Sequence, residues 1–520
     1  MYWADKLAKE ITNSGEIDRY WVDDMKTPSG RVHVGALRGV VVHGVIQQAL
    51  IDQGKDSTYS YVINDMDPMD GFPHYLDESY RQYMGMPLFK IPSPEKGHES
   101  MAKLYANEFI KVFNSLGFSP KIIWSSERYA AGDFDQDIRK VLDNVKLVRK
   151  LYKEISDYDK PKNWYPYQPI CEKCGKVGTT ITTDWDGEKI TYECRKDLVD
   201  WAEGCGHKGK VKPVGNNGKL MWKVDWATHW KVIGVTIEGA GKDHMTDGGS
   251  HDLSSAICEQ VLEYKTPQAF IYEWFLAQGG SKMSSSKGVG VSAKEINQTL
   301  PPEILRFLLV KTPYKRAITF DPSENQSILQ LFDDYDSHQH AFYNSPKSDE
   351  ARIWQLSQIS DIPKEQTYLA RFRDIVNFIQ DPKIDVYKEI ETIKGSSLSK
   401  IDTQELEKRI KYAKIWIDKY APEKFNFQIS NEIPEQVKDL SINQKLYLED
   451  VSKMLNQDWD SPETFQQALY QKTKDMKIST KEAFQSIYIA LLGKTHGPKA
   501  AWLLLENKDL AIERFNNIGK

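Results

Sequence analysis

Two short stretches, far apart in a chain of 520 residues, carry side chains suited to holding phosphate. The first is Thr27-Pro28-Ser29-Gly30-Arg31-Val32-His33-Val34-Gly35, a glycine-bearing turn that feeds an apolar segment. Backbone N–H groups at such a turn point into open space with the positive end of a helix behind them, which favours an anion. Gly30 and Gly35 let a ligand come close to the backbone. His33 can donate a hydrogen bond to a phosphate oxygen without acting as a base. A histidine capping a structural helix is the other reading. The second stretch, Lys282-Met283-Ser284-Ser285-Ser286-Lys287-Gly288, follows Gly279 and Gly280. Two lysines bracket three hydroxyls in a glycine-flanked loop, which can close over a triphosphate and neutralise charge building on a departing pyrophosphate. Read alone, it is also a polar linker.

Four of the five cysteines crowd into residues 171–205. Five thiols in so long a chain are not a disulfide framework. A Cys-x-x-Cys knuckle, Cys171 and Cys174, followed by Cys194 and Cys205 can complete a tetrahedral zinc site. The second pair is separated by ten residues instead of two. Four cysteine ligands are expected, with His207 able to replace one; reduced thiols packed in a small domain are the alternative. A full ligand set leaves no open position, so the metal would be structural. Cys258 falls on a predicted helix and reads as core.

The elements around these stretches follow from periodicity. Tyr20, Trp21 and Val22 form a strand before the turn, a helix runs from about residue 33 to 53 and stops at Gly54, and residues 57–63 form a second strand. A strand, helix and strand at this spacing make a βαβ unit, hence a parallel sheet with a site at its carboxyl edge. Met101, Leu104, Tyr105, Phe109, Val112, Phe113 and Leu116 mark a helix that ends at Gly117, and Ile122, Ile123 and Trp124 resume a strand. Residues 161–169 read as a linker, and sheet-like segments return around 231–238 and 269–276. Beyond about Asp321 only helical spacing persists, as at Leu406, Ile410, Ala413 and Ile417, so residues 322–520 are expected to be mainly α-helical.

The chain length suggests roughly two to four packed units. With 40% hydrophobic and 28% charged residues it falls in the soluble globular class. The first twenty residues lack an apolar signal core, and no apolar run approaches the roughly 18 residues that span a bilayer. A cytoplasmic protein with no membrane partner is expected. The net charge of −5 does not advertise nucleic acid. Basic runs at 140–153 and 311–316 are local candidates, and equally solvated helix faces.

Taken together, the two phosphate-suited stretches resemble the paired signatures of class I aminoacyl-tRNA synthetases, His-Ile-Gly-His and Lys-Met-Ser-Lys-Ser. Ala36 replaces the second histidine and Ser285 the second lysine, whose charge Lys287 can supply. Within that class the chain resembles the lysyl enzymes. The similarity rests on residues 27–33, on Trp222-Lys223-Val224-Asp225-Trp226 with Gly241-Lys242-Asp243-His244 and Gly248-Gly249-Ser250, on Tyr272-Glu273-Trp274, and on Gly493-Lys494-Thr495-His496-Gly497-Pro498. The resemblance implies a Rossmann-type catalytic domain over residues 1–320. Within it, an inserted connective region covers about 66–220, with a zinc-binding acceptor-stem subdomain at 165–210. An all-α stem-contact and anticodon-binding region over 321–520 follows.

The resemblance also implies the chemistry: ATP, with Mg²⁺, activates L-lysine to an adenylate, with bound tRNA required, and the lysyl group passes to the terminal adenosine of tRNA(Lys). His33, Lys282 and Lys287 would carry catalysis. Pro28, Ser29, Gly30, Gly35, Gly241, Asp243, Met283, Ser284 and Ser286 would join His33 around ATP. Thr27, Trp222, His244 and Tyr272 fall where the lysine pocket lies. Glutamyl relatives place an arginine where this chain has Asp23, so Asp23, helped by Asp24, is expected to pair with the substrate ammonium; an exposed strand-end carboxylate is the plainer reading. Met25 stands where many members have glycine. Gly97 and Leu104 occupy positions where a second, upstream zinc would need ligands, leaving His98 alone, so one structural Zn²⁺ is expected. Trp416, Tyr420, Lys494 and Trp502 are candidates for contact with loop bases. A glutamate-specific enzyme, a tRNA-binding paralogue that charges nothing, and a zinc-ribbon nucleic-acid binder are the competing readings. Asp23 in place of arginine speaks against the first, and intact His33, Lys282 and Lys287 against the second. The third leaves the first half of the chain unexplained.

Overall fold

The run Tyr-Trp-Val-Asp-Asp-Met-Lys forms strand β1 (Tyr20–Lys26), preceded by helix α1 (Trp3–Asn13), where no helix was expected. Ala4, Ala8 and Ile11, spaced four and three residues apart, turn inward from α1. These features belong to a computed structural model that describes every residue except 16, 277–290, 324–326, 381–383, 422–428, 431, 519 and 520. The lysine–serine stretch, with Lys282, Met283, Ser284, Ser286 and Lys287, therefore lies outside the described residues.

After β1 the chain makes one 3-10 turn at Val34–Ala36 and enters α2 (Leu37–Asp52), then β2 (Ser57–Ile63), α3 (Met101–Ser115) and β3 (Lys121–Trp124). Helices α4 (Ser125–Ala130), α5 (Asp135–Asp143) and α6 (Val145–Ser156) lead away from the sheet. Two small antiparallel sheets follow: β4 (Tyr167–Pro169) with β8 (Gly218–Leu220), and β5 (Thr180–Trp185), β6 (Ile190–Cys194) and β7 (Lys208–Val211). The chain returns through α7 (Trp222–Ile233), β9 (Ile237–Gly241), α8 (Ser250–Gln260) and β10 (Gln268–Tyr272).

The parallel sheet has the order β10-β9-β1-β2-β3. From β1 the chain builds outward through β2 and β3, then returns to the other side of β1 to add β9 and β10. The direction of winding thus reverses between β1 and β9, and at such a switch point the loops leaving the carboxyl ends part to make a ligand crevice. Register places Asp23 of β1 opposite Ser60 of β2 and Glu238 of β9, so the three form one row across the sheet.

One face of the sheet is covered by α2, in which every residue from Leu37 through Ile46 is buried. This corrects the expectation of no long apolar run: Val34–Asp52 is long and apolar enough to cross a membrane by length and composition. It is 72% buried within the protein, as a central core helix is. The other face packs on α5 to α8, with Trp21, Val62, Ile123, Trp226, Trp230 and Leu253 in one core. Cys258 is buried in that core.

Three further boundaries differ from the sequence reading. Residues 161–169 are not a linker, because Trp164 and Tyr167 are buried in the same core and β4 closes on β8. Residues 231–233 finish α7, which Gly234 ends at φ 83°, and the strand begins only at Ile237. Finally, α3 and β3 lie inside the segment 66–220 yet belong with the parallel sheet, since β3 bonds to β2.

The chain divides into two compact units, Met1–Asp321 with Ser337–Lys364, and Pro322–Asp336 with Glu365–Lys520. Residues 337–364 thus fall with the first unit, where Arg352 pairs with Asp5 at 2.8 Å and Asp52 at 2.6 Å. In the second unit the described residues form helices without a named strand. Trp416 is buried there and donates to the Pro322 carbonyl at 2.9 Å, so it is core and not a reader of bases.

Candidate active site

The turn after β1 sits at the crevice. Pro28, Ser29 and Gly30 are buried, and Arg31 is anchored by its N–H to the Tyr75 hydroxyl at 2.6 Å. Neither Gly30 nor Gly35 needs positive φ. Gly35 is there for space: a Cβ on it would stand 2.8 Å from His33 Nδ1 and 3.4 Å from the Phe275 carbonyl oxygen. The absence of a side chain therefore gives the imidazole its seat. The Val34 N–H donates to Val291 O at 3.0 Å, the Ala293 N–H to Val32 O at 2.9 Å, and His33 bridges Ser292. Phe275 precedes residues 277–290 and Val291 follows them, so both flanks of the lysine–serine stretch meet the histidine turn.

On the α7 side of the sheet, Thr27, Ser29, Asp67, Lys219 and Trp222 line a cavity of about 600 Å³. Thr27 Oγ1 donates to Asp67 Oδ2 at 2.6 Å, and Asp67 Oδ1 accepts from the buried Lys219 ammonium, which also lies 3.3 Å from Asp225 Oδ2. Burial alone would lower the Lys219 pKa, but the Asp225 and Asp67 carboxylates reverse this and hold it above its ordinary value. Trp222, 39% exposed, stacks on Trp226 with centroids 5.2 Å apart and planes 14° from parallel. His244 stands edge-on to both indoles at 5.3 and 6.1 Å. Thr27, Trp222 and His244 are thus brought together.

Behind this wall lie Asp23 and Glu238, both buried. Ser60 Oγ donates to Asp23 Oδ1, while Asp23 Oδ2 has no hydrogen-bond partner among the described residues. Trp226 donates its indole N–H to Glu238 Oε1 at 3.0 Å, and Trp230 donates to Oε2. Burial, and then the neighbouring Glu238 charge, push the Asp23 carboxyl above its ordinary range. Burial takes Glu238 up to about 8, against the opposing pull of the two indoles. Asp23 is no exposed strand-end carboxylate.

Tyr272 and Asp24 stand apart from that group. Successive side chains on a strand point to opposite faces, and Asp24 faces α2, where its Oδ2 lies 3.7 Å from His43 Nδ1. A Cβ on Gly39 would fall 2.6 Å from Asp24 Oδ2 and 2.9 Å from the Tyr272 hydroxyl, so these two meet over that glycine. At the end of β9, a Cβ on Gly241 would stand 2.8 Å from Asp243 Oδ1, which accepts from Trp274 Nε1 at 3.4 Å, and the His244 N–H closes a turn on Gly241 O at 2.9 Å. Asp243 is exposed at the carboxyl end of β9, on the rim of the crevice.

The ligand atoms of Cys171, Cys174, Cys194 and Cys205 all lie within 4.8 Å of one another. Sγ of Cys171 is 3.6 Å from that of Cys205, and Sγ of Cys174 is 3.7 Å from that of Cys194. Four thiolates 2.3 Å from a central ion would be about 3.8 Å apart, so the set fits a tetrahedral metal. The ten-residue gap is an excursion that returns on itself: a Cβ on Gly204 would lie 2.1 Å from Arg195 O, and Gly206 N–H donates to Cys194 O at 2.8 Å. The Cys205 N–H and the Thr179 hydroxyl each reach Cys194 Sγ at 3.3 Å, as groups that orient a ligand do. His207 lies 3.9 Å from Glu172 and outside the four-thiol group.

The family described as "tRNA synthetases class I (K)" matches residues 1–360. The chain belongs to this family. This class I aminoacyl-tRNA synthetase is 33% identical over 516 residues to the "Lysine--tRNA ligase" of Archaeoglobus fulgidus, covering 99% of this chain and 98% of the relative. It is 32% identical over 540 residues to that of Methanocaldococcus jannaschii, covering 99% of each. Of the site, Glu238 was missed by sequence reasoning. A lone glutamate at the start of Ile-Glu-Gly-Ala-Gly carries no signal until strand register sets it beside Asp23. Lys219 and Asp67 were missed too, since 152 residues separate them.

Proposed function

We propose that the chain is a lysine–tRNA ligase. The lysine carboxylate attacks the α-phosphorus of Mg²⁺-bound ATP and pyrophosphate leaves. A ribose hydroxyl of the terminal adenosine of tRNA(Lys) then attacks the adenylate carbonyl, and AMP leaves. Positioning and charge stabilisation carry both steps without a covalent enzyme intermediate. His33 and the N–H groups of residues 28–35 would hold phosphate, with Lys282, Met283, Ser284, Ser286 and Lys287 on the other side of it. Gly241 and Asp243 would meet the adenosine. Thr27, Trp222 and His244 would frame the amino acid, with Asp23 taking the side-chain ammonium and Tyr272 approaching from the α2 side. Residues 1–320 would carry catalysis, the segment around 165–210 the acceptor stem, and the helical region 321–520 the anticodon.

One observation carries this reading: the residues flanking the lysine–serine stretch, Phe275 and Val291, both abut the histidine turn at the winding reversal of the sheet. Pyrophosphate exchange with each amino acid, with and without bulk tRNA, tests it. Lysine alone should support exchange, and only when tRNA is present. Exchange driven by glutamate would return the chain to the glutamyl reading, and none with any amino acid would make it a binder.

The thiol cluster would hold one structural Zn²⁺. Metal analysis should find about one zinc per chain, and Cys174→Ser should lose it. Because binding free energy of such sites is folding free energy, hydrogen exchange over residues 171–211 should then accelerate at least about tenfold while strands of the parallel sheet keep their protection. Unchanged exchange over that segment would mean the thiols pack without metal.

A further inference from the structure

We infer that Glu238 is a specificity-determining residue, and that with Asp23 it forms a two-carboxylate seat for the cationic side chain of the substrate. The inference rests on the lysine reading above. The two residues are direct cross-strand neighbours in β1 and β9. Directly opposed residues of parallel strands share a face, and the partners agree: Glu238 binds Trp226 and Trp230 of α7, and Asp23 binds Ser60, which takes the Trp21 indole N–H at 2.7 Å on the same side. Two carboxyls are thus buried side by side, and neither has an ion-pair partner among the described residues. Nearby acids are treated differently, Asp67 and Asp225 sharing Lys219 and Asp137 meeting Lys231 at 2.5 Å. Two carboxyls buried side by side cannot both ionise cheaply without a cation, which a cationic ligand would supply.

The cavity begins a short way along the chain from this pair. Residues 23 and 25 of β1 face the same way, and Thr27, one residue past the strand, lines the cavity while Met25 packs at the edge of the core. Two residues of strand span about 7 Å, comparable to an extended four-carbon stem. An apolar wall for that stem comes from Trp222, which lines the cavity and stacks on the buried Trp226, whose indole N–H orients Glu238. Arginine at position 23 would serve an acid; an aspartate backed by a glutamate serves a base.

A linkage follows. Burial holds Glu238 up to about 8 and Asp23 above its ordinary range, so at pH 7 the empty seat keeps a proton that an entering ammonium displaces. On the same side of the sheet His251 of α8 packs against both indoles, while Asp24 of β1, His43 of α2 and Tyr272 of β10 gather on the opposite, α2 side. Protons compete with the ammonium, so lysine should bind more tightly as pH rises toward about 8. In the substrate-free protein the sign is opposite. The neutral Glu238 contributes stability that is full below about 4.5 and lost as pH rises through about 8.

The test uses the full chain bound to tRNA, with lysine as probe. Glu238→Gln should raise the KM for lysine about 30-fold or more and leave kcat within about threefold. Calorimetry in phosphate and in Tris at pH 7 should show close to one proton released per lysine by the wild type, and clearly less by the variant. A merely structural glutamate would tolerate the isosteric glutamine, so an unchanged KM, or unchanged proton release, overturns the inference. If the variant fails to fold, the wild-type calorimetry decides, because heats independent of buffer also overturn it. Wild-type protein that charges another amino acid sinks the ligase reading itself, a result separable from lysine charging that ignores Glu238.

Discussion

Substituting His33 by alanine is expected to slow adenylate formation about 10²- to 10³-fold, the effect of removing one preorganised donor from a developing anion. The ring is held at the turn by the backbone β-bridge to Ser292 and by the space that Gly35 leaves, so it would meet phosphate without reorganising. Removing a donor that acts only on the transition state lowers kcat and leaves the KM for lysine nearly unchanged. Gly35→Ala makes the complementary case. Its Cβ would stand 2.8 Å from Nδ1, so the imidazole must leave its seat, and the rate should fall in the same direction with the histidine still present. Pyrophosphate exchange on the tRNA complex measures both. A rate within threefold of wild type for His33→Ala would remove the histidine from catalysis.

Lys219→Met should cost about 3–5 kcal/mol of stability, the range for removing one partner of a buried charge network. Lys219 is 1% exposed and its ammonium is shared by Asp67 and Asp225, so its loss leaves the buried Asp225 and the half-buried Asp67 without their cation. Equilibrium unfolding in urea gives the value. Adding Asp67→Asn and Asp225→Asn should recover a good part of it, because neutral amides need no cation; single substitutions that simply add would contradict the shared network. Asp67 also holds Thr27 at 2.6 Å, and Asp225 lies in the first turn of α7 between Trp222 and Trp226. The same variant should therefore raise the KM for lysine, since two walls of the pocket lose their common anchor.

Much of this architecture was legible because periodicity and punctuation agree in the first 124 residues. Residues 57–63 bound a strand that the structure reproduces residue for residue, and Gly54 stops α2 as it should, at φ 76°. Where reading failed, two signals competed. Residues 161–169 are rich in proline and polar groups, yet Trp164 and Tyr167 are pulled into the core by α7 and β8, partners distant in sequence. Residues 231–238 hold a helix end and a strand start separated by Gly234, Val235 and Thr236, and their apolar residues satisfy either period. The four cysteines were found by type despite their awkward spacing, whereas Glu238 and Lys219 could not be found, because their meaning lies in register and in burial. Metal-ligand residue types announce themselves; a carboxylate pair across two strands does not.

That pair has a consequence for how such an enzyme can change. Loops tolerate substitution one position at a time, but Asp23 and Glu238 ride on adjacent inner strands and are buried among the residues that pack them. Altering either one disturbs the indoles, the serine and the sheet together. A substrate seat built there would be frozen into the innermost layer of the scaffold, and retuning it would call for coordinated replacement of neighbours, with intermediates that recognise neither the old substrate nor the new.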